Sequence, residues 1–230
     1  MISVFKNIFY ILFLAIPLFL ITGPAIPDFV ISLGVIFALV WLIIIQKNYI
    51  FFNSSFINIS LIFWLSLIII SFFAYNKAQS FQDSIIFVRF LLIPISIYFL
   101  FFTSDKDIKK ILLLIFILVL FVSIDTLFQF FNYTSKDGFG NDLIGFKTDW
   151  YGRLTGPFGD ELIPGAYVSK FGLLGYAYLI LSKKYKNKIL IQISYLTLIL
   201  VVCFATGERM AFATSLLSLF ILLIFLQKGR

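Results

Sequence analysis

Long apolar runs broken by brief polar punctuation make up most of this chain, and the spacing of the breaks predicts eight helices. The runs cover about residues 4–21, 29–46, 56–74, 84–102, 110–131, 163–181, 188–205 and 210–226. They are near the length of about 20 residues that a helix needs to cross a bilayer. They are continuous instead of alternating with a period of two, which excludes barrel strands and leaves helices to satisfy the backbone in lipid. Gly23-Pro24 with Pro27-Asp28 marks a tight turn between the first two runs. Thr103-Ser104-Asp105-Lys106-Asp107 is a polar turn whose short oxygen-bearing side chains can cap the fifth helix, and Ser182-Lys183-Lys184-Tyr185-Lys186 closes the sixth. One break differs in kind. Residues 132–163 form a polar island that holds five of the eleven acidic residues: Asp137, Asp142, Asp149, Asp160 and Glu161. The expected fold class is all-α. It is a polytopic integral membrane protein, one helical domain over 1–230 with about eight transmembrane helices and one larger loop at 132–162.

Composition agrees with the pattern. Hydrophobic residues are 61% of the 230, charged residues only 13%, and the mean hydropathy is +1.06. A soluble domain of this size could not cover such a chain with polar surface. The net charge of +7 does not point to nucleic acid, because the lysines sit in short loops between apolar runs, where they set orientation. The single cysteine, Cys203, lies inside an apolar run, so neither an intrachain disulfide nor a thiol metal cluster is available. Lys6 precedes an apolar stretch that has no small-x-small cleavage site, so the first run reads as an uncleaved span.

Orientation follows from the basic residues. With the N-terminus inside, one face receives Lys6, Lys47, Lys106, Lys109, Lys110, Lys183, Lys184, Lys186, Lys188, Lys228 and Arg230, which is 11 of the 18 basic residues. Only Asp105 and Asp107 offset them. The positive-inside rule places this face in the cytoplasm, with both termini. The island and Arg209 then face outward.

Several ionisable or amide groups fall inside the runs, where insertion costs about 2.5–3.5 kcal/mol for a charge. Arg89 lies five residues from the outer end of the fourth run, about 8 Å deep, and Asp125 six residues from the outer end of the fifth, about 9 Å deep. The matching depths allow an Arg89–Asp125 pair. Gln129 shares a helix face with Asp125, and Lys170 sits about 10 Å into the sixth run. Two readings are open: structural pairing with snorkelling to the interface, or a polar cavity open to the outer face. Gly165, Ala166, Gly172, Gly175 and Ala177 give the sixth run a small-residue surface suited to close helix packing.

Three segments carry a resemblance. The first is Asp125-x-x-x-Gln129, followed by Gly140-Asn141-Asp142-Leu143-Ile144-Gly145. The second is Gly152-Arg153-Leu154-Thr155-Gly156-Pro157-Phe158-Gly159-Asp160-Glu161, leading into Gly165. The third is Thr206-Gly207-Glu208-Arg209-Met210-Ala211. In this order, over roughly residues 60–225, they resemble the O-antigen ligase and O-antigen polymerase family of bacterial envelope glycosyltransferases. The resemblance implies an inner-membrane enzyme that takes a polyprenyl-diphosphate-linked glycan as donor. It implies a lipid A-core or glycan acceptor, work at the periplasmic face, and no metal or other cofactor. It also implies that Arg153 and Arg209 bind the diphosphate. Beside them the expected supporting polar belt is Arg89, Asp125, Gln129, Lys170, Asp160 and Glu161. Arginine suits the task, since its rigid fork of donors matches phosphate oxygens and stays charged.

The chain departs from the family in one respect. Family ligases carry more spans and a second large periplasmic loop with a histidine proposed to activate the acceptor, and this chain has no histidine. The expectation is a portion of a longer enzyme, or a divergent protein without that base, and no catalytic residue is assigned. Two further classes stay open: a transporter or flippase for an anionic lipid or solute, and a non-catalytic membrane protein. Polar groups gathered toward the outer third, and not at the midplane of broken helices, favour an outward-facing site over a transport path.

Overall fold

The computed structural model describes residues 2–45, 54–101, 105–134, 138–150, 152–182 and 188–228. Thr103, Ser104, Lys47, Asp137, Arg230 and residues 183–186, which entered the turn and orientation arguments, lie outside the described residues. The described chain is helical, and its only β-pairing is two isolated bridges, Thr134 with Gly138 and Asn141 with Lys147. The helices are α1 (Ile2–Leu14), α2 (Ile16–Phe19), α3 (Ala25–Val40, continued by a π-helical turn at Trp41–Ile45), α4 (Ser55–Ser71), α5 (Lys77–Phe101), α6 (Asp105–Phe131), α7 (Pro164–Leu181), α8 (Lys188–Ala205) and α9 (Arg209–Lys228). Every predicted run carries a helix.

Among the described residues three segments are long and apolar enough to cross a membrane: Ala25–Ile43, Lys77–Ile97 and Ile108–Phe131. Ser55–Ser71, Ile189–Ala205 and Arg209–Leu222 are apolar but shorter. The first run breaks into α1 and α2 because Pro17 has no N–H to continue the ladder. Helix α5 starts at Lys77, seven residues before the predicted boundary at 84. Its first two turns are polar, Lys77-Ala78-Gln79-Ser80-Phe81-Gln82-Asp83, and Asn76 accepts from the Gln79 N–H at 3.4 Å. Hydropathy alone does not register such a polar extension.

The chain divides into two compact units, 1–107 and 108–230. In the first, α3 and α4 both pack on α5, and α1 packs on α3 and α5. The Trp64 indole donates to the Ser84 carbonyl at 2.8 Å, joining α4 to α5. In the second, α7, α8 and α9 pack mutually. A Cβ at Gly172 would sit 2.7 Å from Ile199 Cδ1, and one at Gly175 would meet the Tyr195 hydroxyl and, at 3.2 Å, the Phe116 Cα. The small residues of α7 therefore let α8 and α6 approach its backbone. The Tyr195 hydroxyl uses that closeness to donate to the Gly172 carbonyl at 3.1 Å.

Candidate functional site

The end of the second unit where α6 stops, α7 starts and α8 turns into α9 gathers all three segments singled out in the sequence. Asp125 and Gln129 stand one helical turn apart on α6, and both are fully buried. They hold the loop by its backbone. The Asp125 Oδ1 accepts from Leu143 N–H at 3.0 Å. The Gln129 Oε1 accepts from Thr155 N–H at 3.0 Å and Gly156 N–H at 2.9 Å, and its amide nitrogen donates to Thr155 Oγ1 at 3.4 Å. Gly156 adopts φ +50°, and a Cβ there would lie 2.5 Å from Thr126 Oγ1, so glycine lets the loop lie directly on α6. A short 3-10 turn, Gly156–Phe158, then buries Pro157 and Phe158 and leads into Pro164.

The third segment completes the arrangement. Helix α7 begins with Pro164 and has no side-chain cap of its own. Glu208, in the turn between α8 and α9, supplies one from outside: Gly165 N–H donates to its Oε1 at 2.8 Å and Ala166 N–H to its Oε2 at 3.0 Å. A carboxylate here satisfies two orphan donors and complements the positive helix end. Burial raises the Glu208 carboxyl above its ordinary value, while those two N–H donors and the Arg153 and Lys170 cations pull the other way. Gly207, at φ +71°, brings this turn against Arg153, whose Cδ would be 3.4 Å from a Cβ placed there.

Arg153 and Arg209 line one open cleft of about 580 Å³, together with Gly152, Leu162, Gly207, Glu208 and Met210. Neither guanidinium has a hydrogen bond or ion pair among the described residues, and Arg153 Nε is buried without any acceptor. Glu208 neighbours both in the cleft wall, yet its two oxygens are engaged by the α7 backbone. The cleft thus carries two fixed positive charges with free donors, the chemistry that binds phosphate or another polyanion.

The other expected site residues are distributed differently. Arg89 finds its partners within the first unit. Its Nη2 bonds Asp28 Oδ2 at 2.8 Å and its Nη1 bonds Ser32 Oγ at 3.0 Å, both on α3. The depth match behind the expected pair assumed that α5 begins at residue 84. With α5 starting at Lys77, Arg89 is twelve residues inside the helix, about 18 Å from its start. Asp125 and Gln129 are anchors for the loop and do not line the cleft. Lys170 is exposed on α7, near enough to act on Glu208. Asp160 and Glu161 are exposed beside the 3-10 turn, outside the cleft lining. Among the described residues no three metal-ligating side chains gather.

Sequence reasoning missed the capping role of Glu208 and the bond from Asp28 to Arg89. An acid in the first turn of α3, four residues before Ser32, was a visible signal for the second; nothing local announces the first, because its partners are 42 and 43 residues away. Comparison with family models, with curated proteins and with solved structures returns no match to this chain.

Proposed function

We propose that this chain is an O-antigen ligase-like membrane glycosyltransferase, or the portion of one that holds the lipid-linked donor. The observation that carries the reading is the pair of arginines, Arg153 and Arg209, that line one cleft with no hydrogen bond or ion pair among the described residues, while the Glu208 carboxylate of the cleft wall caps a helix N-terminus. A diphosphate linking polyprenol to glycan brings the complementary anion. Two guanidinium groups bind it bidentately and neutralise charge that develops on the leaving diphosphate as the glycosidic bond breaks. Eight spans, both termini in the cytoplasm and the cleft at the periplasmic face of a bacterial inner membrane complete the proposal, on the strength of the lysine asymmetry. The acceptor is a lipid A-core or a growing glycan, and its activating base is not assigned.

Binding tests it directly. In detergent, undecaprenyl diphosphate should raise the unfolding temperature of the protein, and undecaprenol, which lacks the diphosphate, should not. The Arg153→Lys, Arg209→Lys double variant should lose that shift, since lysine keeps the charge but not the fork. Equal stabilisation by alcohol and diphosphate would reject the site.

A further inference from the structure

The loop between α6 and α7 returns below the end of the helix it leaves. Leu143 N–H bonds the carboxylate of Asp125, which is six residues before Phe131, the last residue of α6, and hence about 9 Å back along the axis. The aspartate side chain does not bridge that gap, because Cα–Cβ bonds in a helix tilt toward its N-terminus. The span Ile108–Phe131 has 24 residues, or about 36 Å at 1.5 Å per residue, against a hydrocarbon core of about 30 Å. Even if all of the roughly 6 Å excess projects at this end, Leu143 lies about 3 Å inside the core; with the span centred, about 6 Å.

Every unpaired polar group of a non-helical backbone at such a depth is costly. Four amides of the tip have partners. Asp125 takes the Leu143 N–H, while Asp142 Oδ1 takes the N–H of Gly145 at 2.6 Å and of Phe146 at 2.7 Å. The Asp142 N–H in turn donates to the Phe146 carbonyl at 2.9 Å. The side chains at the tip point away from the protein: Leu143 is 51% exposed, Ile144 52% and Phe146 47%. Lys147 follows, then exposed Trp150, with exposed Tyr133 at the start of the loop, the residue types that gather at a membrane interface.

We propose that residues 143–146 form a re-entrant membrane contact, with Leu143, Ile144 and Phe146 lying among the acyl chains of the leaflet at the C-terminal end of α6. The buried Asp125 is then the structural requirement of this contact: it holds the tip at depth by the Leu143 N–H. The inference needs α6 to cross the membrane and is independent of any glycan substrate.

The test is a depth measurement in phosphatidylethanolamine/phosphatidylglycerol nanodiscs. A single cysteine replaces Ile144 in a Cys203→Ala background and carries the fluorophore NBD. Ile124→Cys, next to Asp125 in sequence and exposed on α6, gives the lipid reference, and Asp160→Cys the aqueous one. The Ile144 label should be quenched at least twofold more by doxyl-labelled lipid than by aqueous iodide, as at Ile124, with the reverse at Asp160. Adding Asp125→Leu should shift the Ile144 label toward iodide. Stronger quenching by iodide at Ile144, or protection from both quenchers because protein covers the tip, overturns the proposal. Iodide quenching at Ile124 would instead show that α6 does not span, and would overturn the inference at its premise.

Discussion

Arg89 in the first unit and the arginines of the second solve the same electrostatic problem in opposite ways. Arg89 is held on three sides: by Asp28 at 2.8 Å, by Ser32 at 3.0 Å, and by the Phe90 ring 4.7 Å from its guanidinium carbon. Its charge is consumed in joining α5 to α3. Arg153 and Arg209 border a cleft, and the carboxylate in its wall, Glu208, is engaged by the backbone of α7. A partly buried cation without an ion-pair partner costs stability, and a bound anion is the natural compensation. An arginine found near an apolar run is thus not a site by itself. What separates structural from ligand-binding arginine here is whether the neighbouring carboxylate is free to answer it.

That contrast can be broken most decisively by transfer activity. In the full reading frame that encodes this chain, Arg153→Lys with Arg209→Lys should lower glycan transfer about 100-fold or more, the scale of losing a donor aimed at developing charge. Arg89→Lys, which keeps a cation beside Asp28, should lower it less than about threefold, the effect of a change of well under 1 kcal/mol. The measurement is the amount of surface polysaccharide restored to a deletion strain. Equal losses from the two variants would erase the distinction between the units.

Stability should show the opposite ranking. Arg89→Met leaves Asp28 without its cation and should cost about 1–3 kcal/mol, between an exposed pair and a buried one, because the two side chains are 24% and 44% exposed. A second change, Asp28→Asn, should recover part of that loss in a double-mutant cycle read by thermal unfolding in detergent. Strictly additive single effects would mean that the pair contributes nothing.

The smallest effect concerns Glu208. Glu208→Gln keeps one oxygen for the α7 N–H groups, so it should cost only about 1 kcal/mol, the scale of a helix cap. Removing the negative charge from the cleft should at the same time tighten diphosphate binding by a few fold. Weaker binding in this variant would show that Glu208 positions the arginines and is more than a cap.

The eight apolar runs, the polar island and the identities of the two cleft arginines were legible in the chain, because hydropathy, break residues and charge are local properties. Helix ends were less so: α5 begins seven residues early, since a polar turn can be helical without being apolar. Which charge meets which was the least legible. Matched depth allows Arg89 a pair with Asp125, yet the packing of α3 on α5 delivers Asp28, 61 residues away. The carboxylate of Asp125 went to a loop amide 18 residues on. Depth along a helix is a one-dimensional quantity and follows from counting residues; partner choice depends on which helix faces meet and how the loop folds back. Those are decided by long-range packing, such as the bare α7 backbone at Gly172 and Gly175, whose close contacts with α8 and α6 exist only in the folded unit.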